Sequence, residues 1–135
     1  FLHTFRNPLD SIISIYQSML PDLSWVHSME NILSYLDTYN YVIKYFKAKY
    51  PHLILDVNLE DLTENSEKVS KKIFNFCGLT WDDKILNFYK RKDLYSKTLS
   101  FTQIRSKVKK YDPQKYRPYH NLLDKFKDQY KWLND

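Results

Sequence analysis

Glycine is nearly missing from this chain: Gly78 is the one instance in 135 residues. So little glycine argues against a tight-turned barrel or sandwich, and against a glycine-rich phosphate loop within these residues. Cysteine is equally scarce. Cys77 stands alone, so neither a disulfide framework nor a cysteine metal site can be built. Its position between Phe76 and Gly78 reads as packing at a helix end. The four histidines (His3, His27, His52 and His120) show no ligand spacing, and no metal is expected. The acid pairs Glu60-Asp61 and Asp82-Asp83 are adjacent, which sends their side chains in different directions. Asp82 and Asp83 read as first-turn helix acids. No Ser–His–acid order can be argued. No apolar run approaches the roughly 18 residues of a membrane span, and no signal-peptide pattern is present. A soluble, cytoplasmic protein is therefore expected. The chain opens without Met and almost inside a strand, which reads as a fragment lacking an N-terminal portion. Unpaired apolar strand edges would then favour self-association.

Aromatic residues are abundant, with 12 Tyr, 8 Phe and 3 Trp, and the formal net charge is +5. One denser basic run, Arg105 to Lys115, is interleaved with Tyr111, Tyr116 and Tyr119. Such a run could present a nucleic-acid surface. No recognised nucleic-acid motif accompanies it, and a solvated face is the plainer reading. For Lys107, Lys109 and Lys110 solubility is the preferred role.

Hydrophobic spacing predicts mostly helix. Pro8 to about Leu20 forms one, with Ile12, Ile13, Tyr16, Met19 and Leu20 on its apolar side. After a loop at Pro21–Ser24, a long amphipathic helix carries Met29, Ile32, Leu33, Leu36, Tyr39, Val42, Ile43 and Phe46 to about Lys49. Pro51 ends it, and Leu53–Val57 reads as a short strand. Two strands separated by helix imply a right-handed parallel crossover. A further helix runs from about Ser66 to Cys77, stopped by Gly78, and another opens at Trp81 through Ile85, Leu86 and Phe88. Residues 91–118 lack a period and read as a long functional loop. Tyr119, Leu122, Leu123, Phe126, Tyr130 and Leu133 make the stripe of a closing helix.

The richest local pattern is Phe1 to Ser14. It reads as a short strand ending in Arg6, then a helix capped by Asn7, with Pro8 at its first position and Asp10 at the third. That puts Arg6 at the carboxyl end of a strand beside a helix start, the edge where open α/β sheets bind anions. An ordinary strand–helix connection with a solvated arginine is the alternative.

The Arg6-Asn7-Pro8 to Ser14 run resembles the 3′-phosphate-binding motif of the sulfotransferases that use PAPS (3′-phosphoadenosine 5′-phosphosulfate). Other segments follow that family's order. Ser24-Trp25-Val26-His27-Ser28 resembles the segment before its long helix, and Leu55 to Leu62 its strand ending in "YEDL". Phe76 to Asp83 is similar to its "FCGLPWDD" junction. Ser100-Phe101-Thr102-Gln103-Ile104-Arg105 resembles the "S-x-x-Q-V-R" loop of bacterial members with tetratricopeptide repeats and of tyrosylprotein sulfotransferases. The resemblance implies a helix-rich α/β chain, the C-terminal part of a P-loop-like three-layer fold with a short parallel sheet. Residues 1–135 would form one partial domain, with 91–118 folding over the nucleotide.

Carried over by position, Arg6 and Ser14 would bind the 3′-phosphate of PAPS or adenosine 3′,5′-bisphosphate. Ser100, Gln103 and Arg105 would cover the nucleotide, and Lys115 stands near the family's "K-W" position. The intact protein would transfer a sulfuryl group to a hydroxyl or amine of an unidentified acceptor, whether protein, peptide, glycan or small molecule. No nucleic-acid partner and no metal are implied. There are departures: Leu59 replaces the tyrosine of "YEDL", Tyr116 replaces the tryptophan, and Lys107 and Lys109 replace residues after the loop. The 5′-phosphosulfate loop and the catalytic base would lie upstream of Phe1, so these 135 residues alone are expected to be inactive. A non-catalytic binding module keeping the same fold is the other reading.

Overall fold

The computed structural model describes residues 1–91, 93 and 103–134. Strand β1 (Leu2–Phe5) pairs in parallel with β2 (Leu55–Asn58), in the register Leu2↔Leu55 to Phe5↔Asn58. Helix α1 (Pro8–Ser18), a 3-10 turn (Ser24–His27) and helix α2 (Met29–Lys49) make the crossover between them. Helices α3 (Leu59–Glu64) and α4 (Ser66–Phe76) follow. The chain is thus helix-rich α/β around a short parallel sheet, as expected.

Each start has a local cause. The Asn7 side chain accepts from Asp10 N–H at 3.2 Å, capping α1, with Pro8 pre-set in the first turn. Ser28 caps α2 by accepting from Asn31 N–H at 3.1 Å. Asn58 ends β2 and caps α3 by accepting from Glu60 and Asp61 N–H at 2.7 and 3.1 Å. The strand therefore starts two residues later and ends one residue later than the apolar run Leu53–Val57 suggests, because Asn58 pairs in the sheet and caps at once. Helix α1 stops at Ser18, with Met19 in the left-handed region at φ 42°. Gly78 (φ 67°) supplies that conformation after α4, where a side chain would be strained.

Two expected α-helices are 3-10 instead. Asp83–Lys90 is a 3-10 run kinked at Asn87, and Asp82 caps it by accepting from Lys84 N–H at 2.8 Å. Asp82 is thus a cap, and Asp83 accepts from the Trp81 indole at 2.6 Å. At the C-terminal end, Arg117–Phe126 and Lys131–Asn134 are 3-10 segments. A three-residue period eclipses side chains at i and i+3. His120, Leu123 and Phe126 share the inward row, whereas Tyr119 and Leu122 are exposed.

The core lies away from the sheet. Ile12 and Ile13 of α1, Ile32 and Leu33 of α2, and Tyr116, Leu123, Phe126 and Leu133 form one buried cluster. The later α2 stripe, Tyr39, Val42 and Phe46, is exposed because a two-stranded sheet cannot cover it. An ion pair still ties that half to the sheet: Asp56 of β2 lies 2.6 Å from Lys47 of α2 and 2.7 Å from His3 of β1. Cys77 is exposed, so it is not the packing residue its apolar flank suggests; the helix ends at the part-buried Phe76. No helix among the described residues is long and apolar enough to cross a membrane.

Candidate anion-binding site

β1 delivers Arg6 to its carboxyl end, where α1 begins. The guanidinium is half-buried. Its Nε donates to Ser11 Oγ at 3.2 Å and its Nη2 to the Asp10 carbonyl at 3.4 Å. Ser11 Oγ in turn donates to the Asn7 carbonyl at 3.0 Å. These contacts hold one edge of the fork against the first turn of α1 and leave further guanidinium donors for a ligand. Glu60, at the start of α3, accepts from Asn7 N–H at 2.7 Å. The starts of α1 and α3 are thereby joined next to Arg6.

Segment 111–120 closes over this corner. Tyr116 is buried, and its hydroxyl lies 3.2 Å from Ser14 Oγ. The Arg6 Cζ sits 5.6 Å from the centre of its ring and the Lys115 Nζ 4.8 Å, both within cation–π range. Lys115 lies about a hundred residues from Arg6 and Ser14, yet all three meet around this one side chain. The Lys115 ammonium first, and the Ser14 hydroxyl second, hold the Tyr116 phenol below its ordinary pKa, against the upward push of burial.

Asp10 is the fixed point beneath. It is fully buried, the one buried charged residue among those described. Oδ2 accepts from the Tyr111 hydroxyl at 2.5 Å and Oδ1 from His120 Nε2 at 2.7 Å. The hydrogen bond to this carboxylate first, and burial second, push the Tyr111 phenol up to about 12. Tyr111 is anchored again through its N–H to Thr63 Oγ1 at 3.0 Å, and Lys110 pairs with Glu64 at 3.0 Å. As a first-turn carboxylate Asp10 suits the start of α1. Its larger role is to clasp segment 111–120 onto α1, a pairing no local signal announces.

The other expected site residues are placed differently. Gln103 and Arg105 belong to a short 3-10 turn, Gln103–Arg105, packed against the Asp83–Lys90 segment. Ser100 lies outside the described residues. Lys107 and Arg6 both line a wide cavity of about 1170 Å³ between α3, α4 and the 83–90 segment. Leu59, Glu60 and Tyr111 line it too, whereas Ser14 and Lys115 do not. Arg6 therefore stands between this cavity and the Tyr116 cluster. His27 and Glu30 are exposed. No group of three or more His, Cys, Asp or Glu able to hold a metal occurs among the described residues.

Fold and site together define a helix-rich α/β chain with a cationic corner at the carboxyl end of a parallel strand, beside two capped helix starts. A family model described as "Sulfotransferase family" matches residues 1–83, which include β1, Arg6, Ser14 and β2. The chain belongs to the sulfotransferase family. It is also 29% identical over 132 residues to an "Uncharacterized protein" of Aquifex aeolicus (strain VF5). That alignment covers 90% of this chain and 16% of the relative, so the chain spans about a sixth of the relative's length. No solved structure matches.

Proposed function

We propose that Arg6, Ser14 and Lys115 bind the 3′-phosphate of PAPS, and that the intact protein transfers its sulfuryl group to a hydroxyl or amine acceptor. The observation that carries this reading is the convergence of those three side chains on Tyr116 at the carboxyl end of β1, Arg6 and Lys115 at its ring and Ser14 at its hydroxyl. A phosphate dianion is a natural occupant. Arg offers parallel charge-assisted donors, Ser a short hydroxyl donor and Lys a mobile point charge. Membership of the sulfotransferase family supports the same chemistry. In sulfuryl transfer, as in phosphoryl transfer, positioning and charge stabilisation carry most of the catalysis. This chain's part would be to hold the nucleotide's 3′ end, with Ser100, Gln103 and Arg105 covering it. The kinship with tetratricopeptide-linked and tyrosylprotein sulfotransferases belongs to the same proposal and rests on the Ser100–Arg105 motif.

The test is calorimetric titration of the intact protein with adenosine 3′,5′-bisphosphate and with adenosine 5′-monophosphate. The bisphosphate should bind more tightly. Arg6→Ala should weaken it by about 10- to 100-fold, the equivalent of one or two charge-assisted hydrogen bonds. Equal affinity for the two nucleotides, or an Arg6→Ala variant that binds like the unaltered protein, refutes the assignment.

A further inference from the structure

Tyr116 lies at the centre of the cationic corner and has no role in the reading above. Its hydroxyl lies 3.2 Å from Ser14 Oγ, and its ring meets Arg6 at 5.6 Å and Lys115 at 4.8 Å. The side chain is 7% exposed, so its position is set by packing in the core rather than by solvent. We propose that Tyr116 is a positioning residue for the bound 3′-phosphate, acting through Ser14: the phenol donates to Ser14 Oγ and thereby aims the serine's own proton at the phosphate. This inference rests on the proposed phosphate site.

The direction of the bond follows from the ligand's chemistry. A phosphate oxygen only accepts, so Ser14 must donate to it. The serine oxygen then keeps lone pairs for a second donor, and the Tyr116 hydroxyl is placed to be that donor. A hydroxyl that accepts one hydrogen bond donates a stronger one, so the two-step chain polarises toward the anion. A lone serine hydroxyl turns freely, whereas one tethered by a phenol is pre-aimed. Arg6 and Lys115, both against the same ring, would approach the phosphate from positions fixed by that ring.

Tyr116→Phe isolates the hydroxyl, since it keeps the ring, its burial and both cation–π contacts and removes only what the hydroxyl meets, Ser14 and the Lys115 ammonium. In the intact protein it should weaken binding of adenosine 3′,5′-bisphosphate about fivefold, the worth of one net hydrogen bond. Binding of adenosine 5′-monophosphate should be unchanged, which a general loss of structure would not allow. Ser14→Ala should weaken the bisphosphate too, and Tyr116→Phe added to Ser14→Ala should cost clearly less than it does alone, because the phenol then has no serine to aim. Unaltered or tighter binding by Tyr116→Phe overturns the inference, as does additivity of the two substitutions. Failure of the unaltered protein to prefer the bisphosphate removes the phosphate site itself, and this inference with it.

Discussion

Replacing Asp10 by Ala tests whether the clasp between α1 and segment 111–120 is a principal tie in this fold. The substitution removes a fully buried carboxylate and both hydrogen bonds it accepts, from Tyr111 at 2.5 Å and His120 at 2.7 Å. Hydrogen bonds to a charged group contribute about 1.5–3 kcal/mol each. Part of that is returned because a buried charge no longer has to be desolvated. Two stranded donors remain, Tyr111 half-buried and His120 partly exposed, and water can satisfy some of their need. A loss of about 3 kcal/mol is therefore expected, within the range for breaking a buried pair. The main-chain cap survives, because Asn7 accepts from the Asp10 N–H and not from its side chain. With a urea dependence of about 1.5 kcal/mol per molar, the unfolding midpoint should fall by about 2 M. Trp25 and Trp132, packed against the core, report the transition by fluorescence. Tyr111→Phe and His120→Gln should each cost less, and either combined with Asp10→Ala should cost less than the sum. A midpoint shift equivalent to under about 0.5 kcal/mol, the size of an ordinary surface change, refutes the clasp.

Two pH effects follow from other groups. The Tyr111 phenol is raised to about 12 by the Asp10 carboxylate, so its contribution to stability is complete below its ordinary value near 10 and is lost as pH rises through about 12. Tyr111→Phe should remove that part of the alkaline loss in urea titrations between pH 9 and 12; an unchanged alkaline profile counts against the contact. Burial pushes the Asp56 carboxyl up, but hydrogen bonds from Lys47 and His3 outweigh it and hold the group below its usual range. That stability is present above the ordinary carboxylate value and is lost as pH falls through the lowered one. Asp56→Asn should therefore be less stable at neutral pH and depend less steeply on pH below about 4, as followed by circular dichroism. Identical acid profiles for the two proteins would exclude a role for the Lys47–Asp56–His3 group.

What could be read from the sequence was what short stretches of chain decide for themselves. Asn7, Pro8 and Gly78 set helix ends through their own backbone preferences, and the structure has those ends. The parallel pairing of β1 and β2 followed from the length of the helical connection between them. The 3-10 segments were not legible, because a row such as His120, Leu123 and Phe126 also fits an α-helical face. Only the exposure of Tyr119 and Leu122 separates the two periods. Burial along α2 was misjudged for a related reason: periodicity says which face is apolar, but not how much sheet is there to cover it. Asp10 lies 110 positions from His120, so nothing nearby in the chain could show the partner of its carboxylate.

That separation also sets an order of events during synthesis. Arg6 and Ser14 leave the ribosome about a hundred residues ahead of Tyr116 and His120. At bacterial or eukaryotic elongation rates this is a delay of roughly 5–20 s, long against the microseconds in which α1 and α2 can form. During that interval the nascent chain carries a helix start with an unclasped carboxylate and an uncovered arginine. The cationic corner therefore closes only once segment 111–120 has been made, and a ribosome stalled before Tyr111 would hold both strands, their crossover helices and an open corner.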